Sequence, residues 1–255
     1  MNTVVGTDSH RCDGCAMAAL RKWLLGSTVA LAGLPVMAAE PRPLIAPAVS
    51  TAPAKPKALI DCIDDKHREI VAGIMKSPTI TAKAADDEFV AHPNVYDWLI
   101  EHPDRTTLAW KRLKVPSVDI TDLGKGQFFW SDETGSELTW QTVGKFEHGV
   151  VWYATGKVKP STLLPTVPVK AVAVLSSPRG PADKDGNATF KPTAQLYLLA
   201  DSRVAAGFVK MLGPSAPKMA EEGAGQFLFF FSGIARYIHR KPDQLETLLA
   251  APAKK

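Results

Sequence analysis

Cysteine is scarce in this sequence, with three among 255 residues, and two of them, Cys12 and Cys15, sit together near the start. A C-x-x-C pair can carry redox chemistry or half a zinc site, but no second pair follows, and this one lies in a leader expected to be discarded. Cys62 then stands alone, which excludes an internal disulfide in the mature chain. Also missing are a G-x-S-x-G nucleophile elbow, an H-E-x-x-H zinc helix, a phosphate-binding P-loop and a dinucleotide-binding glycine pattern. Nor is there a dense run of one charge. The 30 Lys and Arg residues outnumber the 26 Asp and Glu only slightly, for a net charge of +4, and they are scattered. This excludes a phosphate-backbone footprint, and no nucleic-acid partner is expected. What remains is an ordinary globular composition, 45% hydrophobic and 22% charged, far from the disordered class and enough for one good core.

The first 39 residues have the parts of an export signal. A polar leader carries Arg11, Arg21 and Lys22, and an apolar stretch runs over residues 23–34. Pro35 breaks it, and Val36-Met37-Ala38 places small residues at the peptidase positions, so cleavage is expected after Ala38 or Ala39. The apolar stretch is short and rich in Ala and Gly for a membrane span, which ranks an uncleaved anchor second. Arg21-Lys22 resembles a twin-arginine signal with Lys in the second place, a minor route. No Cys follows at a lipoprotein cleavage position. The expected address is periplasmic or extracellular. Residues 40–57 form a Pro/Ala-rich linker with Pro41, Pro43, Pro47, Pro53 and Pro56, extended and unable to bury a core. Residues 58–255 then form a single domain.

Within that domain residues 58–77 have helical periodicity, with Leu59, Cys62, Ile63, Ile70, Val71 and Ile74 near one face, and Ser77-Pro78 as the stop. Residues 79–84 suit a strand. Pro93 opens a short helix bearing Val95, Tyr96, Trp98, Leu99 and Ile100, and His102-Pro103 divides it from a second helix capped by Asp104. Strands are expected over 117–122, 127–131, 137–146, 150–159, 167–176 and 189–200, joined by short Gly-bearing turns that suit antiparallel hairpins. Trp140 shares a face with Leu138 and Thr142, while Trp152 and Tyr153 point to opposite faces. Both faces of the 150–159 strand are apolar, which predicts a sheet covered on one side and enclosing something on the other. A helical region follows from about residue 202 to 249, divided at Gly213-Pro214 and Pro217. Its main piece, 218–239, carries Phe227, Leu228, Phe231, Ile234, Ala235 and Ile238 at helical spacing.

This order of one strand, two short helices, six antiparallel strands and one long amphipathic helix resembles the helix-grip superfamily of START, Bet v 1 and polyketide-cyclase-like proteins. The segment Val95-Tyr96-Asp97-Trp98-Leu99-Ile100-Glu101-His102-Pro103 is similar to the stretch after the first strand in many of them. The resemblance spans residues 79–249. Departures are the extra helix at 58–77 and the Pro-rich connection at 159–168. It implies an α+β fold in which a curved antiparallel sheet of about seven strands wraps a long C-terminal helix, with a concave apolar cavity between them. Candidate lining residues are Trp140, Trp152, Tyr153, Phe227, Phe230 and Phe231, whose plain alternative is core packing.

No spacing selects a catalytic group, a metal or a cofactor. His92 and His102 bracket a short helix and read as boundary residues, and His148 falls in a hairpin turn. Asp183-Lys184-Asp185-Gly186-Asn187 resembles the opening of a calcium loop. Its Gly comes too early for such a loop and Ala194 stands where an acid is needed, so it reads as a polar hairpin tip. The leading expectation is a non-enzymatic binding protein for a hydrophobic small molecule or lipid held between sheet and C-terminal helix, a reading compatible with peripheral membrane contact. The alternatives are a cyclase- or hydrolase-like enzyme using Glu101, His102, Arg105 or Tyr153 in the same cavity, and an envelope interaction module with a filled core.

Overall fold

The computed structural model describes residues 56–159, 166–200 and 216–251. The expected export signal, nearly all of the linker and Gly213-Pro214 lie outside these residues.

The first helical segment is two pieces, α1 (Pro56–Asp61) and α2 (Asp65–Lys76). Asp64 ends the run because its carboxylate accepts a 2.9 Å bond from the His67 amide, an N-cap that requires extended backbone at that residue. Strand β1 (Ile80–Ala85) and the short β2 (Phe89–Ala91) precede the two expected helices, α3 (Pro93–Glu101) and α4 (Pro103–Arg112). His92 and His102 occupy the boundary positions, and Pro stands at the first turn of both helices, where a missing N–H leaves nothing unpaired.

The hairpin series follows as β3 (Asp119–Gly124), β4 (Gln127–Ser131), β5 (Glu137–Phe146), β6 (Gly149–Val158) and β7 (Val167–Ser176). The last expected strand, 189–200, is divided into β8 (Ala188–Phe190) and β9 (Thr193–Ala200). Pro192 stands at the break, where it cannot donate to a ladder. Seven strands form one antiparallel sheet in the order β1-β9-β7-β6-β5-β4-β3, and β2 and β8 pair separately. The long helix α5 runs Ala216–Arg240, followed by a 3-10 turn at Pro242–Gln244 and a last short helix α6 (Leu245–Leu249).

Period-two alternation gives the sheet two apolar faces, and each has its own cover. Trp140, Val150, Trp152, Ala173, Leu175 and Ala194 face α5, with Tyr96, Leu99 and Trp110 of α3 and α4 completing this core. Val143, Val151, Val172, Val174 and Tyr153 face the other way, against Ile63, Val71 and Ile74 of the first helical segment. The helix that departs from the helix-grip pattern therefore covers the outer sheet face. The fold is α+β, a seven-stranded antiparallel sheet gripping a long C-terminal helix.

Candidate functional site

At one end of the sheet the β5–β6 turn rises beside the junction of α3 and α4. Between them is a cleft of about 430 Å3. Its floor is Phe128 of β4, Val150 and Trp152 of β6 and Leu175 of β7, which lie on the sheet face toward the helices, Phe128 through its pairing with Trp140. Polar groups form its rim: Asp97, Glu101 and His102 from α3 and its end, Lys145, Glu147 and His148 from the hairpin, and Ser177 and Arg179 from the chain leaving β7.

Most rim charges are paired. Lys145 forms an ion pair with Glu101, joining hairpin to helix. Arg179 holds Asp97 at 3.0 Å and lies over the Phe190 ring. His148 Nε2 is 3.6 Å from Glu147. The His102 ring stacks on Trp98 at 4.4 Å with Nδ1 2.9 Å from the Trp98 carbonyl, which fixes the ring against its own helix. On the floor, Trp152 Nε1 donates to Thr142 Oγ1 at 3.0 Å.

One wall is less complete. Past the end of the β6–β7 ladder, the Ser177 amide donates to the His148 carbonyl at 2.6 Å, which holds the turn against the strand exit. The Ser177 side chain lines the cleft, and the Tyr96 hydroxyl neighbours it from α3. The Tyr96 ring is fixed by Phe190 at 4.9 Å and Phe89 at 5.2 Å. Burial pushes its phenol well above the ordinary tyrosine range, with the Ser177 hydroxyl partly offsetting that rise and Asp86 and Asp97 adding to it.

The six residues expected to line a cavity are not brought together in this cleft. Trp152 is on its floor. Trp140 shares the face and stands 5.7 Å from Phe128. Phe227, Phe230 and Phe231 of α5 belong to the core beneath: Phe227 meets Trp152 edge-on at 5.4 Å and Phe231 at 5.6 Å, and Phe230 meets Phe231 at 4.9 Å. No residue of α5 lines this cleft. Tyr153 is corrected: it lies on the outer sheet face beside His67, because strand alternation turns it away from Trp152. Of the polar candidates, Glu101 and His102 reach the rim, whereas Arg105 pairs with Asp104 in α4 and Tyr153 is on the wrong face. Sequence reading missed Tyr96, Lys145, Ser177 and Arg179. The one available signal was that residues just beyond a strand end lie beside the neighbouring hairpin turn, which pairs Ser177 with His148.

No protein-family model and no curated protein matches the chain. Among solved structures it is similar to the di-domain aromatase/cyclase BexL from the BE-7585A biosynthetic pathway, at 16% identity and a TM-score of 0.29. The match covers 71% of this chain and 54% of that one, so the chain spans about half the length of that protein.

Proposed function

We propose that this chain is an exported binding protein of the helix-grip superfamily that holds a small hydrophobic molecule, a lipid or a similar envelope compound, in the cleft beneath the β5–β6 turn. The observation that carries the reading is the apolar floor of Phe128, Val150, Trp152 and Leu175 under a polar rim. This is the composition of a small-molecule site, where apolar burial supplies affinity and a few polar groups supply orientation. Binding without chemistry is favoured by the state of the candidate acid and base. Glu101 is held by Lys145, and His102 Nδ1 is committed to the Trp98 carbonyl.

The test is native mass spectrometry of the protein recovered from the exported fraction, before and after lipid extraction, beside a Lys145→Trp variant that places a bulky ring over the cleft. The expected result is a co-purifying or re-bound hydrophobe in the wild type and loss of it in the variant. A wild-type protein that carries no hydrophobe and takes up no lipid probe overturns the reading. A mature N-terminus at Ala39 or Glu40 is expected, and retention of the leader in the exported protein overturns the export part.

A further inference from the structure

The wall of the cleft formed by Ser177 and His148, with Tyr96 packed behind Ser177, contains polar atoms that the fold leaves without a well-formed hydrogen bond. Tyr96 is fully buried and Ser177 is 5% exposed. The Tyr96 hydroxyl and the Ser177 Oγ lie beside each other without forming a well-aligned hydrogen bond, and neither they nor His148 Nδ1 have another partner among the described residues. A buried hydroxyl without a well-formed partner costs about 1–3 kcal/mol, so the two adjacent hydroxyls are not explained by stability. They are not incidental to the loop either. The Ser177 amide is bonded to the His148 carbonyl, and the Tyr96 ring is packed by Phe89 and Phe190, so the Ser177 and His148 backbone and the Tyr96 ring are positioned by the fold.

We propose that this wall is an anchoring subsite for the carbonyl oxygen of an uncharged, largely apolar ligand, with Ser177 as the direct donor and Tyr96 behind it as the group that orients the Ser177 proton. The inference rests on the binding reading of the cleft and deepens it by naming the ligand class. A hydroxyl both gives and accepts one proton. When a ligand carbonyl accepts from Ser177, the Ser177 oxygen becomes the acceptor for the Tyr96 hydroxyl, so one ligand oxygen satisfies both groups, and the two bonds strengthen each other. Tyr96 keeps its proton because burial and the nearby Asp86 and Asp97 disfavour the phenolate, which fits it to donate.

The rim charges decide against an anion. Three carboxylates, Asp97, Glu101 and Glu147, face the cleft with two permanent cations, Lys145 and Arg179. Both cations are already paired, with Glu101 and Asp97. A ligand carboxylate would meet no free cation and an excess of negative charge. A ketone or ester meets neither obstacle.

Equilibrium dialysis of three matched probes tests this: acetylnaphthalene, its isopropenyl isostere in which a methylene replaces the carbonyl oxygen, and naphthoate. Wild-type protein is expected to bind the ketone about tenfold more tightly than the isostere, with naphthoate weakest. Ser177→Ala is expected to erase the ketone's advantage while leaving isostere affinity unchanged, and Tyr96→Phe to reduce it. Both substitutions remove an unpartnered buried hydroxyl, so Tm should be unchanged or raised, which separates loss of anchoring from loss of folding. Equal affinity for ketone and isostere in the wild type, a preference for naphthoate, or an equal loss of both neutral probes in the variants overturns the carbonyl anchor while leaving the cleft as a binding site. Failure of every probe to bind overturns the anchor and the binding reading together.

Discussion

The indole Nε1 of Trp110 donates a 2.9 Å hydrogen bond to the main-chain carbonyl of Phe230. This contact ties α4 to the middle of the gripped helix, and the approach is close enough that only glycine fits beside it. A Cβ on Gly233, one turn further along α5, would be 2.7 Å from the Trp110 ring. Gly233→Ala is therefore expected to destabilise the protein by about 1–3 kcal/mol through overpacking. Trp110→Phe is expected to be destabilising through the lost hydrogen bond and the volume removed. Denaturant melts of both variants check this, and a Gly233→Ala protein as stable as the wild type would refute the close packing.

The main chain of the first helical segment approaches the outer sheet face closely at residues 62–64, beside the packing of Val71 and Ile74. Ile63 forms an isolated bridge with Gly144, the Asp64 amide donates to the Val143 carbonyl at 2.9 Å, and a Cβ on Gly144 would be 2.8 Å from the Cys62 carbonyl oxygen. Gly144→Val should push this contact apart, so α2 would lose protection in hydrogen exchange by at least about tenfold, equivalent to roughly 1.4 kcal/mol. The face toward α5 should keep its protection. Uniform loss across both faces would show that the two covers are not separable.

Asp86 lies behind β1 and is nearly covered. It accepts from the Ser232 hydroxyl and pairs with Arg236 at 3.2 Å, while Arg236 also donates to the Asp87 carbonyl and lies 5.0 Å over the Phe89 ring. Removing the carboxylate strands both partners in a poorly solvated place. Asp86→Ala should cost about 2–4 kcal/mol, measured by urea denaturation, whereas Ser232→Ala should cost about 1 kcal/mol. Equal small effects from both would mean that the pair is screened like a surface one.

High pH should weaken the fold. Burial raises the phenols of Tyr96, Tyr153 and Tyr197 above the ordinary value of 10.0. The folded state therefore holds protons that the unfolded chain releases, so this stability is fully present below about pH 10 and is lost as pH rises through the folded values. Tm measured from pH 8 to 11 is expected to fall steeply above pH 10, and Tyr153→Phe with Tyr197→Phe should flatten that fall. A flat wild-type profile to pH 11 would contradict it.

Sequence reading and structure agree where the signal is local. The strands at 127–131, 137–146 and 167–176 coincide with β4, β5 and β7, because alternating faces and Gly-bearing turns are encoded within each hairpin. Pro93 marks the start of α3 as read, whereas α4 starts at Pro103 with His102 as its N-cap, so the expected cap Asp104 lies inside its first turn. The splits at Asp64 and near Pro192 were harder to see, since an apolar periodicity continues through the first, and the second leaves β-prone residues on both sides. Five of the six aromatic candidates, all but Tyr153, belong to the inner core, yet aromatic spacing alone does not tell a cavity wall from a packed core. That distinction depends on how Phe227 and Phe231 close against Trp152.

By itself the sequence determined the α+β element order, the long amphipathic C-terminal helix and which residues of each strand share a face. Helix caps, prolines and two-residue periodicity act over a few positions, so they can be read without knowing the neighbours. Only the tertiary structure decided that the outer sheet face is covered by α2, that Tyr153 is on that side, and that Ser177 and His148 share a cleft wall with Tyr96 behind Ser177. Those three come from a strand exit, a helix and a hairpin turn, and nothing in the local pattern of any of them signals the others. Their proximity is a consequence of sheet register and of α3 docking across it, which are properties of the whole core.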